Sequence, residues 1–365
     1  MTPIKEPSGV YMLREGVRIF KNGEEIRFRK GIWNYSEAAL QLAGQDDAVV
    51  RFFEAVYTAF LQGNRVDLSA VATRVGMSPE DLASCHEWFE SLHHQQFLCD
   101  TNLRDVVRTT TSLLGGSPTG FEERVQDPRP VLFFTETDYI GSAAKALASE
   151  IALPLDFLPA ESLQQLAAAD LTTRTDAVEH TRALATFKKL ILPYACVVGC
   201  VAAPNLRLLR NLNRVLVEVE MPLILGLIDG PFMTVLSALP AETGCFECFE
   251  QRMLARLQDT EVYHQFVRNA QATTNVNGRP LAPQLHMLLA TAISEAFLYS
   301  TIGMFRLAGR ILNIYLPLFE IQVQDLLRVP YCPACGFISK SQMNEMYSSS
   351  KRLLADIMAK VEITS

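Results

Sequence analysis

Two cysteine pairs stand out for their spacing: Cys245 and Cys248 in Gly244-Cys-Phe-Glu-Cys248, and Cys332 and Cys335 in Cys332-Pro-Ala-Cys-Gly336. A Cys-x-x-Cys pair places two thiolates at the separation of a metal knuckle. Four thiolates close a tetrahedral shell and leave no position open for catalysis, so the chemistry predicted is one structural zinc ion. In the second pair proline shapes the turn, and the glycine after it leaves room for backbone amides to approach the sulfurs. The 83 residues between Cys248 and Cys332 exceed a compact zinc ribbon, so the site must tie distant segments together. The alternatives are two unrelated pairs of free thiols or a redox disulfide, and thioredoxin-like chemistry needs only one such pair. Cys85, Cys99, Cys196 and Cys200 read as small buried apolar residues.

Other catalytic chemistry finds little support. A dinucleotide or ATP site needs a glycine-rich turn after the first strand of an α/β unit, so that phosphates reach helix amides. Here that turn is Thr135-Glu-Thr-Asp-Tyr-Ile-Gly-Ser142, with one glycine and two acids that would repel phosphate. No Gly-x-x-x-x-Gly-Lys-Ser or -Thr run occurs in the chain. His180, His264 and His286 are isolated on helical patterns, and no nucleophile is paired with a base by local motif.

The rest of the chain must supply the elements that hold these residues. Its 365 residues suffice for about two domains, each with its own core. A composition of 49% hydrophobic and 20% charged residues is that of a globular protein rather than a disordered one. The apolar stretch from Leu190 to Pro204 is shorter than the ~20 residues of a spanning helix and is interrupted by Pro193, so no transmembrane segment is expected. The first residues lack the apolar core of a secretory signal, which points to the cytoplasm and to reduced cysteines. The net charge of -7 argues against a general binder of phosphate backbones.

Residues 1–105 read as one unit. Val17 to Phe20 and Glu25 to Arg29 alternate as strands do, and Lys21-Asn-Gly23 between them is a hairpin signal. Glu37 to Leu42 reads as a third strand, although its residues are equally good helix formers. Helices come next: one from Asp47 to Gln62, one from Leu68 capped by Asp67 and ended by Gly76, and one opened by Ser78-Pro-Glu-Asp81 and running to about His94. A ribbon followed by three helices is winged-helix-like. Between Met77 and Thr101 there is no lysine or arginine, and Met1 to Leu114 holds 12 basic against 15 acidic residues, which disfavours nucleic acid as a partner. A peptide fits better, because an exposed strand edge can accept an added strand while a neighbouring helix supplies pockets. The alternative is a unit that only packs on its partner domain.

Residues 106–128, with Thr109-Thr-Thr111 and Gly115-Gly-Ser-Pro-Thr-Gly120, read as a linker. The unit 129–365 then alternates apolar runs (Pro130 to Phe134, Leu153 to Leu158, Phe187 to Val201, Pro222 to Ile228) with helical patterns at Ser142 to Glu150 and Asn205 to Glu218. That rhythm predicts a parallel, doubly wound sheet. Helical patterns resume at Cys248 to Leu257 and Ala282 to Ala308.

Asp229-Gly-Pro-Phe-Met-Thr-Val235, Pro240-Ala-Glu-Thr-Gly-Cys-Phe-Glu-Cys248 and Arg252, preceded by Ala203-Pro-Asn-Leu-Arg-Leu-Leu-Arg-Asn-Leu-Asn213, resemble the ThiF-like fold of ubiquitin-activating-type proteins. Gly31-Ile-Trp-Asn-Tyr-Ser-Glu-Ala38 is similar to the winged-helix peptide-recognition element of one ThiF-like group. These are the cyclodehydratase partner proteins of thiazole/oxazole-modified peptide biosynthesis. The resemblance implies a winged-helix-like recognition domain followed by a degenerate ThiF-like doubly wound α/β domain with a zinc site of four cysteines. It assigns zinc to Cys245, Cys248, Cys332 and Cys335. It assigns leader contact to the strand Glu37, Ala38, Ala39, Leu40, Gln41 and Leu42, and to the helix from Pro79 at Leu82, Cys85, His86 and Phe89. The implied partners are a precursor-peptide leader and a YcaO cyclodehydratase on a separate chain that uses the ATP, with a flavin dehydrogenase and a second copy of this chain as further candidates. The acidic Thr135 to Ser142 turn departs from adenylating members and counts against ATP as this chain's own cofactor. The expectation is a scaffold without catalytic activity of its own, its rivals an adenylating enzyme acting on a peptide or carrier-protein carboxyl terminus and, less favoured, a zinc-containing transcription factor.

Overall fold

The computed structural model describes residues 9–63, 65–100, 104–116, 121–173, 177–240, 242–269 and 281–336. The chain forms two compact units, Met1–Val125 and Gln126–Ser365.

In the first unit the order is β1 (Val10–Leu13), β2 (Val17–Asn22), β3 (Glu25–Lys30), β4 (Ser36–Gln41), α1 (Asp47–Leu61), β5 (Val66–Asp67), α2 (Leu68–Val75), α3 (Pro79–His94), β6 (Leu98–Asp100) and α4 (Asp105–Leu114). Two three-stranded antiparallel sheets result, β2-β3-β4 and β5-β1-β6. The strand over Glu37 to Leu42 forms because Ala38 and Leu40 alternate toward the core while Ala39 and Gln41 face out. The helix signals act as written. Asp67 accepts the Ala70 amide, Gly76 closes α2 with φ +69°, and Ser78 accepts the Asp81 amide ahead of Pro79. The core is aromatic: Phe89 stacks on Phe53 and Tyr11 and meets Phe52 edge-on. The segment 106–128 carries most of α4 and a 3-10 turn at Phe121–Arg124, while 117–120 lie outside the described residues. Val107, Thr110 and Thr111 give α4 a buried stripe that its threonine-rich composition conceals.

The second unit runs β7 (Val131–Phe134), α5 (Asp138–Glu150), β8 (Leu155–Phe157), α6 (Ala160–Ala168), α7 (Ala177–Ile191), β9 (Val197–Val201), α8 (Leu206–Glu218), β10 (Leu223–Asp229), β11 (Phe232–Ala238), α9 (Phe246–Leu254), α10 (Thr260–Asn269), α11 (Ala282–Ile302), β12 (Arg310–Tyr315) and β13 (Glu320–Asp325). Its seven-stranded sheet has the order β13-β12-β11-β10-β9-β7-β8. The expectation of a parallel sheet needs correction: β8, β7, β9 and β10 are parallel, whereas β11, β12 and β13 are antiparallel. The switch is local. Gly230-Pro231 joins β10 to β11, with Gly230 at φ +54°, the first central position that a II′ hairpin turn reserves for glycine.

Helices cover both faces of the parallel half, which is why its strands read as continuous apolar runs. Leu223, Leu225 and Leu227 pack with Leu208, Leu212 and Val215 of α8, while Gly226 on the other side faces Leu288 of α11. By length and composition α11 is apolar enough to cross a membrane, but most of that span is buried, against β9, β10, β11 and α5.

Side chains of neighbouring strands close tightly over Gly199 of β9, where a Cβ would lie 2.3 Å from Phe134 Cζ on β7 and 2.8 Å from Leu225 Cδ1 on β10. Gly199→Ala is therefore expected to lower stability by roughly 1–3 kcal/mol, the usual cost of overpacking, as a reduced urea midpoint would show.

Candidate metal centre

Cys245 is the N-cap of α9 and Cys248 stands in its first turn; Cys332 and Cys335 lie in the turn after β13. All four are buried, and their Sγ atoms lie within 4.8 Å of one another. The Sγ separations are 3.9 Å for Cys245 to Cys248, 3.6 Å for Cys245 to Cys332 and 3.3 Å for Cys248 to Cys335. Sulfurs about 2.3 Å from a central ion at tetrahedral angles stand about 3.8 Å apart, whereas a disulfide needs about 2.05 Å. The donor set therefore fits a tetrahedral metal ion such as zinc.

Electrostatics favour the same reading. Without a cation the packed thiols cannot all ionise. The hydrogen bond between Cys245 and Cys248 holds Cys248 below the ordinary thiol range and pushes Cys245 far above it. Four thiolates around a divalent ion leave excess negative charge, and the surroundings answer it with donors. Val329 N–H reaches Cys248 Sγ at 3.3 Å, Asn213 Nδ2 reaches Cys245 Sγ at 3.5 Å, and two of the cysteines sit at the positive end of α9.

Helix α8 ties the two halves of the site together. Asn213 Oδ1 accepts the Phe246 amide at 3.0 Å, and its Nδ2 donates to Glu247. Arg214 forms a fork on Glu247, with Nε to Oε1 at 2.7 Å and Nη2 to Oε2 at 2.8 Å, while its Nη1 donates to Pro333 O in the second knuckle. Burial raises the Glu247 pKa and Arg214 opposes that rise. One turn away, Arg210 forks onto the buried Glu250, which also accepts from Tyr263. The strand side is fastened as well: Gly244 N–H donates to Leu326 O, and Arg328 donates to Thr243 O and Pro240 O. Gly336 is required, since a Cβ there would lie 2.5 Å from Cys332 O.

The residues assigned to peptide contact are in three situations. Strand β4 is the end strand of its sheet, so its outer edge has no strand partner among the described residues. On the outward face Glu37 is ion-paired to Arg27 and Arg29, and Arg29 lies 3.7 Å from the Tyr35 ring, next to an exposed Trp33. Leu82 and His86 are half-buried on α3. Leu40, Cys85 and Phe89 turn their side chains into the core, at 3%, 3% and 0% exposure, so that of the three only Leu40, through its backbone on β4, lies at an open edge.

At the carboxyl end of the parallel strands Glu136 Oε1 accepts the amides of Ala202 and Ala203 at 2.6 and 2.7 Å. These are donors of the kind that a phosphate would use, and a carboxylate already holds them.

No protein-family model matches the chain, and no curated protein sequence does either. Solved structures do. A heterocyclase in complex with substrate and cofactor aligns with a TM-score of 0.58 at 15% identity, over 90% of this chain and 39% of its own. The heterocyclase TruD aligns with a TM-score of 0.58 at 16% identity, over 90% of this chain and 43% of its own. The chain shares their fold. It spans about two fifths of the length of each. MccB of E. coli, in the structure with SeMet MccA, aligns at a TM-score of 0.48 and 15% identity over 90% of this chain and its whole length (100%).

Asn213, Arg214, Arg210, Glu247, Glu250 and the cap made by Glu136 were not singled out from the sequence. One signal was present: two asparagines, Asn211 and Asn213, stand on nearly opposite sides of a helix rich in apolar residues, and both are buried, where an amide needs partners.

Two outcomes are expected. Elemental analysis should find one zinc per chain, and a chelator should lower the melting temperature. Arg214→Met leaves Glu247 buried without its partner and should cost about 3–5 kcal/mol in urea unfolding, with weakened metal retention.

Proposed function

We propose that the chain is the leader-binding partner protein of a cyclodehydratase. It takes up the leader of a ribosomally synthesised precursor by strand addition at β4 and presents the core cysteine, serine or threonine side chains to a separate ATP-dependent YcaO enzyme, which forms thiazoline or oxazoline rings. The observation that carries this reading is the outer edge of β4, a row of backbone donors and acceptors to which an extended peptide can add. Exposed Ile32, Trp33 and Tyr35 just before that strand, and Trp88 on α3, offer apolar surface for leader side chains. The sequence resemblance of the first half to a winged-helix recognition element supports it, as does the fold shared with heterocyclases. The zinc is structural in this reading, because four buried thiolates leave no open position.

The rival is an adenylating enzyme acting on a peptide or carrier-protein carboxyl terminus. The Glu136 carboxylate on the Ala202 and Ala203 amides speaks against it, since phosphate would meet a fixed negative charge there.

A fluorescein-labelled leader should give saturable anisotropy with the full chain and none after residues 1–125 are removed, while precursor plus YcaO enzyme should lose the mass of water only when this chain is added. ATP- and peptide-dependent pyrophosphate exchange by this chain alone would instead establish the adenylating reading.

A further inference from the structure

The first unit contains a cavity of about 340 Å3 between β1, the end of β3, β6 and α4. It falls within the size range of small-molecule sites, roughly 300–1,000 Å3. The charge of its wall is one-sided: Arg14, Lys30 and Arg108 line it against one acid, Glu15. Lys30 follows Ile26 and Phe28 at two-residue intervals on the core-facing side of β3, which directs its ammonium to the end of the core instead of the outer sheet face. Arg14 is 9% exposed and its Nε donates to Leu98 O at 3.2 Å, which fixes the guanidinium at the wall. Arg108 meets Asp105 at 3.4 Å on the surface.

A second, independent feature marks the same cavity. Thr111 is 7% exposed, lines the cavity, and its Oγ1 has no hydrogen-bond partner among the described residues. Thr110, one residue earlier, shows the ordinary helical solution by returning its hydroxyl to Val106 O at 2.7 Å. A buried hydroxyl left unpaired is costly, about 1–3 kcal/mol, and a bound ligand with an acceptor oxygen would satisfy it. Cations converging on a partly enclosed space also concentrate an anion there. Met12 and Leu13 complete the wall with apolar surface.

We propose that this cavity binds a small organic anion, a carboxylate or phosphate head on a short apolar body, with Arg14 and Lys30 facing the head and Thr111 donating its hydroxyl to it. The site is distinct from the β4 edge and does not rest on the leader-binding reading.

Calorimetric titration of the full chain with benzoate, phenyl phosphate and the neutral benzamide tests it. At least one of the two anions should bind saturably and benzamide should not; which anion binds identifies the head. Lys30→Gln should weaken that binding about tenfold, the loss of one charge-assisted hydrogen bond, without moving the melting temperature. Thr111→Val, which keeps the shape and removes the unpaired hydroxyl, should weaken the anion while leaving melting in anion-free buffer unchanged or raised. The proposal fails if neither anion binds, if benzamide binds as well as they do, if Lys30→Gln binds with unchanged affinity, or if Thr111→Val melts lower in anion-free buffer.

Discussion

The convergence of four buried sulfurs from two distant stretches is the constraint on which the second unit turns. The parallel half of the sheet is covered by helices on both faces and buries a large apolar cluster. The antiparallel extension is different. Strand β13 is exposed at every residue and joins the sheet through its ladder with β12, so it buries little to keep itself in place. The segment after it, from Leu326 to Cys335, is fastened to α9 and the turn before that helix by Gly244, Arg328 and the cysteine cluster. The cysteine cluster thus stands beside the most exposed strand of the sheet.

Buried acids in this unit share one pattern. Glu247, Glu250 and Glu295 are at most 4% exposed, and each is met by an arginine: Arg214, Arg210 and Arg306. A carboxylate taken from water needs both a charge partner and hydrogen bonds: forked guanidinia supply both to Glu247 and Glu250, while Glu295 takes Arg306 Nε on one oxygen and the Leu307 amide on the other. Two of these pairs link α8 to α9 and so position the first cysteine knuckle. Glu136, an exposed acid, is held differently. Its partners are backbone amides, and by taking them it closes with the chain's own charge a position that nucleotide-binding α/β folds leave to phosphate.

The first unit divides its surfaces differently. Its core is closed by aromatic contacts around Phe89, while polar and aromatic side chains gather at the strand edge and the Gly31 to Tyr35 loop. The loop is fixed from within: Arg29 donates to Ile32 O and lies against Tyr35, and the Cβ absent from Gly31 would meet Asn34 O at 2.5 Å. Trp33 is thereby held in solvent at 91% exposure, a placement that apolar burial alone would not choose.

Local signals were legible in the sequence because they act over a few residues. The caps at Asp67 and Ser78, the glycine stop at Gly76, the strands at Val17, Glu25 and Pro222 and the helix after Asn205 all depend on neighbours in the chain. The cysteine spacing belongs with them, since a knuckle is a turn; that the two pairs meet is a fact of the fold. Strand β13 also carries a local signal, the alternation of Ile321 and Val323 with Glu320, Gln322 and Gln324. Tertiary structure alone decided the rest. The stripe Leu82, Cys85, Phe89 and Leu92 marks the inner face of α3 locally, but the partners that meet Phe89 there, Phe52, Phe53 and Tyr11, arrive from other elements. That Arg214 reaches both knuckles, that Glu136 finds two amides 66 and 67 residues away, and that Thr111 opens on a cavity are relations among elements whose separation in the chain carries no record of their separation in space.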